Sequence, residues 1–306
     1  MKPTPTARGA LALCLVSALL FGGHALARAE AGAAVAPAKA SAPALWVVRD
    51  ADTTIYLFGT MHLLRPETVW RTPALDDALA ATGELWIEAE EPSPAALQAL
   101  IAELGVDLAH PLSGRLTEEE RARLSTIATG LGMPANGLDP MRPWLASLIL
   151  SVVPAMKAGF DPAKGVDKAV QAVAVERGIP VRSLETAEQQ VRYLAGLPDE
   201  VQMRMLRDGM EDIAAGPAIV ERMATAWATG DLREMEAILV DELKTDSADL
   251  YQALVVDRNR RWAEQIERRL DDPGVSFVAV GAGHLVGPDR LQSLLDGDGV
   301  SIARLQ

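Results

Sequence analysis

Two short stretches place a histidine just beyond an apolar run that ends in glycine. TTIYLFGTMHLL (53–64) carries Gly59 and His62, and SFVAVGAGHLVG (276–287) carries Gly281 and His284. Each histidine lies three residues after its glycine and just before a leucine, in a chain with only 4 histidines. Two glutamates hold comparable places: Glu88 follows ELWI, and Glu185 ends VRSLE. Imidazole with carboxylate is a donor set for manganese, cobalt, zinc or iron. Two histidines and one or two carboxylates leave positions open for water and substrate. A metal so held would acidify its bound water and polarise a carbonyl. Of Glu88 and Glu185, one would act as ligand and the other as general base. Gly59 and Gly281 are expected to shape the cofactor-binding turns by adopting positive φ and letting backbone approach a ligand. The plain alternative is a pair of structural imidazoles, each hydrogen-bonded to a carbonyl. A serine or cysteine nucleophile is not indicated, because no G-x-S-x-G elbow occurs and the single cysteine, Cys14, lies near the N-terminus.

These four side chains are far apart in sequence, so the elements carrying them must bring them together. LWVVRD and TTIYLFG read as a β-hairpin across Asp50-Ala51-Asp52. TPALDDALAATG reads as a short helix capped by Thr72 with Pro73 in first position, ELWIEAE as a strand, and PSPAALQALIAELG as a helix. Thr117 and Glu120 form a capping-box pattern at the start of another helix. PMRPWLASLILSVVPAMKAG has a helical apolar stripe interrupted by Pro154, and GVDKAVQAVAVERG is helical before the strand VRSLE. From about 187 to 271 only helical patterns occur, followed by strand VSFVAVG, helix PDRLQSLLDG and strand VSIARL. The expected fold is α/β: a mixed central sheet built from N- and C-terminal strands, flanked by helices, with a long helical insertion before the last strands. In open α/β sheets ligands sit beyond the carboxyl ends of the strands. All four polar residues stand at such ends.

Composition narrows the setting. Lys2 and Arg8, the apolar run 10–22 and Ala25-Leu26-Ala27 have the form of a cleavable signal peptide over 1–27. The Ala/Pro-rich stretch 28–44 reads as a disordered lead-in to one domain over 45–306. The expected location is periplasmic or secreted, with no stable membrane anchor after cleavage. Removing Lys2 and Arg8 takes the formal charge from −13 to −15. Such an acidic surface repels phosphate backbones, so nucleic acid is not an expected partner. Loss of Cys14 restricts any metal site to nitrogen and oxygen ligands.

GTMHLL, WIEAE, MRPWLA, GVDKAV, SLETAEQQ, DRNRRW and VAVGAGHLVGPDRLQSLL, in this order, resemble the TraB/GumN family over about 45–305. That family includes bacterial pheromone-shutdown proteins and animal TIKI proteins, and is related in fold to erythromycin-esterase-like and haem-binding ChaN-like proteins. The resemblance implies a metal-dependent hydrolase, peptidase-like in the TIKI branch, acting on a peptide or small acyl substrate. The alternative it implies is capture of a peptide signal or haem without turnover. Gly59, His62, Glu88, Gly281 and His284 match the paired GxxH and glutamate motifs. Glu185 and Gln189 match the LET-x-x-Q segment, and Arg258-Asn259 the RN segment.

Within that resemblance Arg258 becomes a clamp for a substrate carboxylate or a developing oxyanion. The charged run DRNRRWAEQIERR otherwise reads as a solvated helix face, which suits Arg260, Arg261, Arg268 and Arg269. Asp167 opens a helix, where N-capping is the simpler role. Met203, Met205 and Met210 read as helix packing before groove, and His110, Glu90 and Glu91 as solvated.

Overall fold

A computed structural model of the protein describes residues 42–297 and 299–306. The expected signal peptide and most of the lead-in therefore lie outside the described residues. Six strands, β1 (Leu45–Arg49), β2 (Thr53–Thr60), β3 (Glu84–Ile87), β4 (Val181–Ser183), β5 (Gly274–Gly281) and β6 (Ser301–Arg304), form one sheet in the order β4-β3-β5-β2-β1-β6. β4, β3, β5 and β2 run parallel to one another, whereas β1 is antiparallel to both β2 and β6. This is the mixed α/β sheet expected from the strand pattern.

Local chemistry accounts for its parts. The β1–β2 hairpin is held by Asp50, whose Oδ1 accepts from the Thr53 amide at 2.7 Å. β2 and β5 pair over their full lengths, from Thr53 opposite Gly274 to Thr60 opposite Gly281. Alternate residues leave on opposite faces. Phe58, Phe277 and Ala279 enter one core, while Ile55, Leu57, Val278 and Val280 enter the other. Both faces are covered, so the two strands read as nearly continuous apolar runs.

Helices α1 (Pro73–Ala81), α2 (Pro94–Leu104), α3 (Glu118–Gly130), α4 (Pro143–Lys157) and α5 (Val166–Arg177) lie between β2 and β4 in the chain. Thr72 caps α1 with Pro73 in its first position, and Thr117 and Glu120 close a reciprocal capping box on α3. Pro154 does not interrupt α4, which runs on to Lys157. Burial of Val152 and Ala155 on either side of it outweighs the one backbone hydrogen bond proline forgoes.

After β4 come α6 (Ala187–Ala195), α7 (Asp199–Asp212), α8 (Gly216–Thr229), α9 (Leu232–Glu236), α10 (Glu242–Asp246), α11 (Ala248–Tyr251) and α12 (Asp257–Leu270); α13 (Leu291–Leu294) follows β5. π-helical segments Ala237–Asp241 and Gln252–Val256 interrupt this array, the second immediately before α12. Two of these helices, α8 and α12, are fastened to the sheet. Trp227 of α8 donates through Nε1 to the Gly59 carbonyl at 2.7 Å, and Trp262 and Ile266 of α12 fill the second core.

Candidate active site

The carboxyl ends of β2, β3, β4 and β5 lie along one edge of the sheet, and each delivers one expected residue. Glu88 directly follows β3, Glu185 lies two residues beyond β4, His62 two beyond β2, and His284 three beyond β5. The ladder between β3 and β4 continues past both strands. Leu184 N donates to Ile87 O and Glu185 N to Glu88 O, both at 2.9 Å, which sets the two glutamates side by side.

Arg258, at the start of α12, joins them. Its Nη2 donates to Glu88 Oε2 at 2.6 Å and to Glu185 Oε1 at 2.5 Å, while Nε reaches both Glu185 oxygens. Nη1 stands 3.1 Å from His284 Nε2. A guanidinium has donors only, so that imidazole nitrogen accepts, and the His284 proton sits on Nδ1 facing Asn259 Oδ1 at 2.6 Å. Gln190 Nε2 donates to Glu88 at 3.0 Å and to Glu185 at 2.8 Å, and the Gly281 amide donates to Glu88 Oε1 at 2.5 Å. Arg258 and His284 have no exposed surface. Burial, then the charges of Arg258 and His62, hold the His284 pKa well below the ordinary histidine value. Burial opposes the Arg258 charge, but Glu88 and Glu185 outweigh it and raise its pKa further. His284 is thus a neutral acceptor and Arg258 a permanent cation.

His62 stands apart from this cluster while feeling its charges. Its Nδ1 lies 3.1 Å from Asp167 Oδ1, so the Nδ1–H donates to that carboxylate. Nε2 is buried with no hydrogen-bond partner in the structure. Burial works against protonation of His62, but the charge and hydrogen bond of Asp167, with the charge of Glu88, leave its pKa raised above 6.5. It borders a cleft of about 30 Å³ lined by Thr60, Glu88, Asp167, Lys168 and Gln190, room for about one water.

The two glycines act by a different means from the one expected. Neither has positive φ, and Gly281 is at φ −51°, ψ 136°. Gly59 provides room: a Cβ there would lie 3.0 Å from Ala282 Cα and 3.1 Å from its Cβ. The segment after β5 therefore folds back over the end of β2. Gly281 contributes its amide to Glu88.

Helical burial explains what else reasoning from sequence missed. Asp167 does not cap α5; Gly165 precedes the helix, and Asp167 turns inward to His62. Gln190, rather than its neighbour Gln189, reaches the glutamates, since Gln189 completes the capping box of α6 with Thr186. Arg258 is not on a solvated face, nor is it exposed to clamp a substrate. The signal was present: Arg258, Trp262 and Ile266 recur at intervals of four residues and form the buried stripe of α12. Met203, Met205 and Met210 are packed inside, while His110, Glu90 and Glu91 are not buried.

Do these residues fit a divalent metal? Among the described residues, no three His, Cys, Asp or Glu side chains gather into a group able to hold one. Both nitrogens of His284 are engaged and the Glu88 and Glu185 carboxylates bind Arg258, whereas His62 Nε2 has no hydrogen-bond partner. A catalytic zinc site takes three protein ligands. A fixed guanidinium beside the remaining acceptors adds repulsion. As arranged, the set does not fit a resident metal.

Fold and site together define a mixed-sheet α/β protein with a buried Arg–Glu–Glu–His cluster at the carboxyl ends of three parallel strands, and a His–Asp pair beside it at the end of a fourth. The chain belongs to the TraB/PrgY/gumN family, whose model matches residues 44–304. It is similar to the uncharacterized protein YbaP of Escherichia coli (strain K12), 28% identical over 184 residues, which is 60% of this chain and 67% of that protein. YbaP of Shigella flexneri is similar to the same extent. No solved structure matches the chain.

Proposed function

We propose that this protein is a hydrolase of a peptide or related acyl bond, with His62 as the general base that activates water. The observation that carries this reading is His62 itself. Asp167 fixes its Nδ1 proton, its Nε2 is free, and a cleft with room for about one water adjoins it. A base needs an uncommitted lone pair within reach of the proton it takes, and a pKa near the operating pH. Glu88 and Glu185 are poorer candidates, because each of their oxygens already accepts a hydrogen bond from Arg258, Gln190 or the Gly281 amide. Their role is to hold Arg258, whose charge lies behind the cleft. His284, neutral and bonded to Asn259, holds the other side of that guanidinium. An exported location would follow from the signal-peptide-like pattern over 1–27.

A second reading, capture of a peptide signal or haem without turnover, draws on the same free nitrogen, which would serve equally as a ligand to a bound group. The small cleft favours water over haem. Mature protein incubated with a mixed peptide library and simple acyl esters, followed by mass spectrometry, decides between them. Hydrolysis is expected, reduced about 100-fold or more in His62→Ala, within the usual range for loss of a general base. Saturable binding with no product from any substrate would leave the capture reading standing instead.

A further inference from the structure

We infer that Arg258 is a built-in substitute for a metal ion, so the protein works without one, and losing this single side chain opens a divalent-cation site. The inference concerns the buried cluster alone and does not depend on which reaction His62 serves. Glu88 and Glu185 are both buried, and two carboxylates out of water require positive charge nearby. The guanidinium supplies it. One terminal nitrogen meets Glu88 Oε2 and Glu185 Oε1 at 2.6 and 2.5 Å, and the other meets His284 Nε2 at 3.1 Å. Two carboxylate oxygens and an imidazole nitrogen are the ligand types that manganese, cobalt and zinc take. Here all three face one side chain, which holds them around itself and offers no lone pair.

The cation is permanent and well anchored. Arginine does not deprotonate in proteins, and the Arg258 Cζ lies 4.6 Å from the Trp262 ring centroid and 5.7 Å from that of Tyr193. Its acceptors are also prepared for metal. The His284 Nδ1–H already has the oxygen partner, Asn259 Oδ1, that metal-bound histidines keep. Removing the guanidinium leaves two negative charges and a free imidazole nitrogen around the vacated space. A divalent ion restores the balance.

The test is metal binding, read without any substrate. Wild-type full chain and Arg258→Ala are each equilibrated with Mn²⁺, Co²⁺ or Zn²⁺, then examined by elemental analysis, calorimetry and thermal unfolding. Wild type is expected to retain no stoichiometric metal and to show no shift in Tm. Arg258→Ala is expected to bind one equivalent of at least one ion with a raised Tm, and Arg258→Ala/His284→Ala to lose that gain. Arg258→Ala/Glu185→Gln, which removes one surplus negative charge, provides a second route if the single variant folds poorly without metal. Stoichiometric metal in wild type lost with His284→Ala overturns the inference. So does failure of both Arg258 variants to bind, or to fold, with all three ions. A negative result here leaves the His62 hydrolysis reading intact, since turnover tests that separately.

Discussion

At the residue scale, two imidazoles within one site are driven in opposite directions. Burial disfavours charge on both, yet Asp167 and Glu88 reverse this for His62, while Arg258 reinforces it for His284. NMR titration of the ring protons should therefore find His62 titrating above the ordinary value near 6.5 and His284 remaining neutral far below it. Asp167→Asn should bring His62 down while leaving His284 neutral. The effect on stability depends on which state binds the proton more tightly. A raised folded pKa means the His62–Asp167 pair contributes fully below about pH 6.5 and fades as pH rises through the folded value. His284 acts the other way, because below about pH 6.5 the unfolded chain gains a proton that the folded site refuses. His62→Gln should accordingly lose more stability at about pH 5.5 than at about pH 8.5, as read from urea midpoints. An equal loss at both would mean that Asp167 does not raise the His62 pKa.

At the element scale, close backbone approach positions the site. Gly165 precedes α5, and a Cβ there would lie 2.8 Å from the His62 carbonyl oxygen and 2.9 Å from Asp167 Oδ1. Val166 N also donates to Met61 O at 2.8 Å, so this segment fastens the end of β2 to the start of α5. Gly165→Ala should displace the His–Asp pair and lower the His62 pKa, with the fold retained. Gly59→Val should push against Ala282 and destabilise by about 1–3 kcal/mol in urea unfolding, the usual cost of overpacking. Strand and cap chemistry were legible at this scale because they are local. Thr72 with Pro73, Thr117 with Glu120, and the β1–β2 hairpin each depend on residues a few positions apart. The role of Gly59 was not legible, since the atom it makes room for belongs to Ala282, remote along the chain.

At the scale of the whole molecule, the Arg258 cluster ties the ends of β3, β4 and β5 to α12. Breaking a buried ion network from one side leaves charge uncompensated, so metal-free Arg258→Ala should lose about 3–5 kcal/mol. Arg258→Met combined with Glu88→Gln and Glu185→Gln should recover much of that, because no buried charge then lacks a partner. Equal instability in the triple variant would show that packing around Arg258, rather than charge, dominates. The sequence by itself determined the strands, the hairpin, the caps, the family resemblance and the polar residues at four strand ends. Each is written in local periodicity or in motifs of contiguous residues. Only the tertiary structure decided that Arg258 lies inside the cluster, that Asp167 belongs to His62, and that Gln190 rather than Gln189 reaches the glutamates. Those outcomes depend on which face of each helix the sheet covers and on distances between residues remote along the chain, and residue types and spacing alone do not encode them.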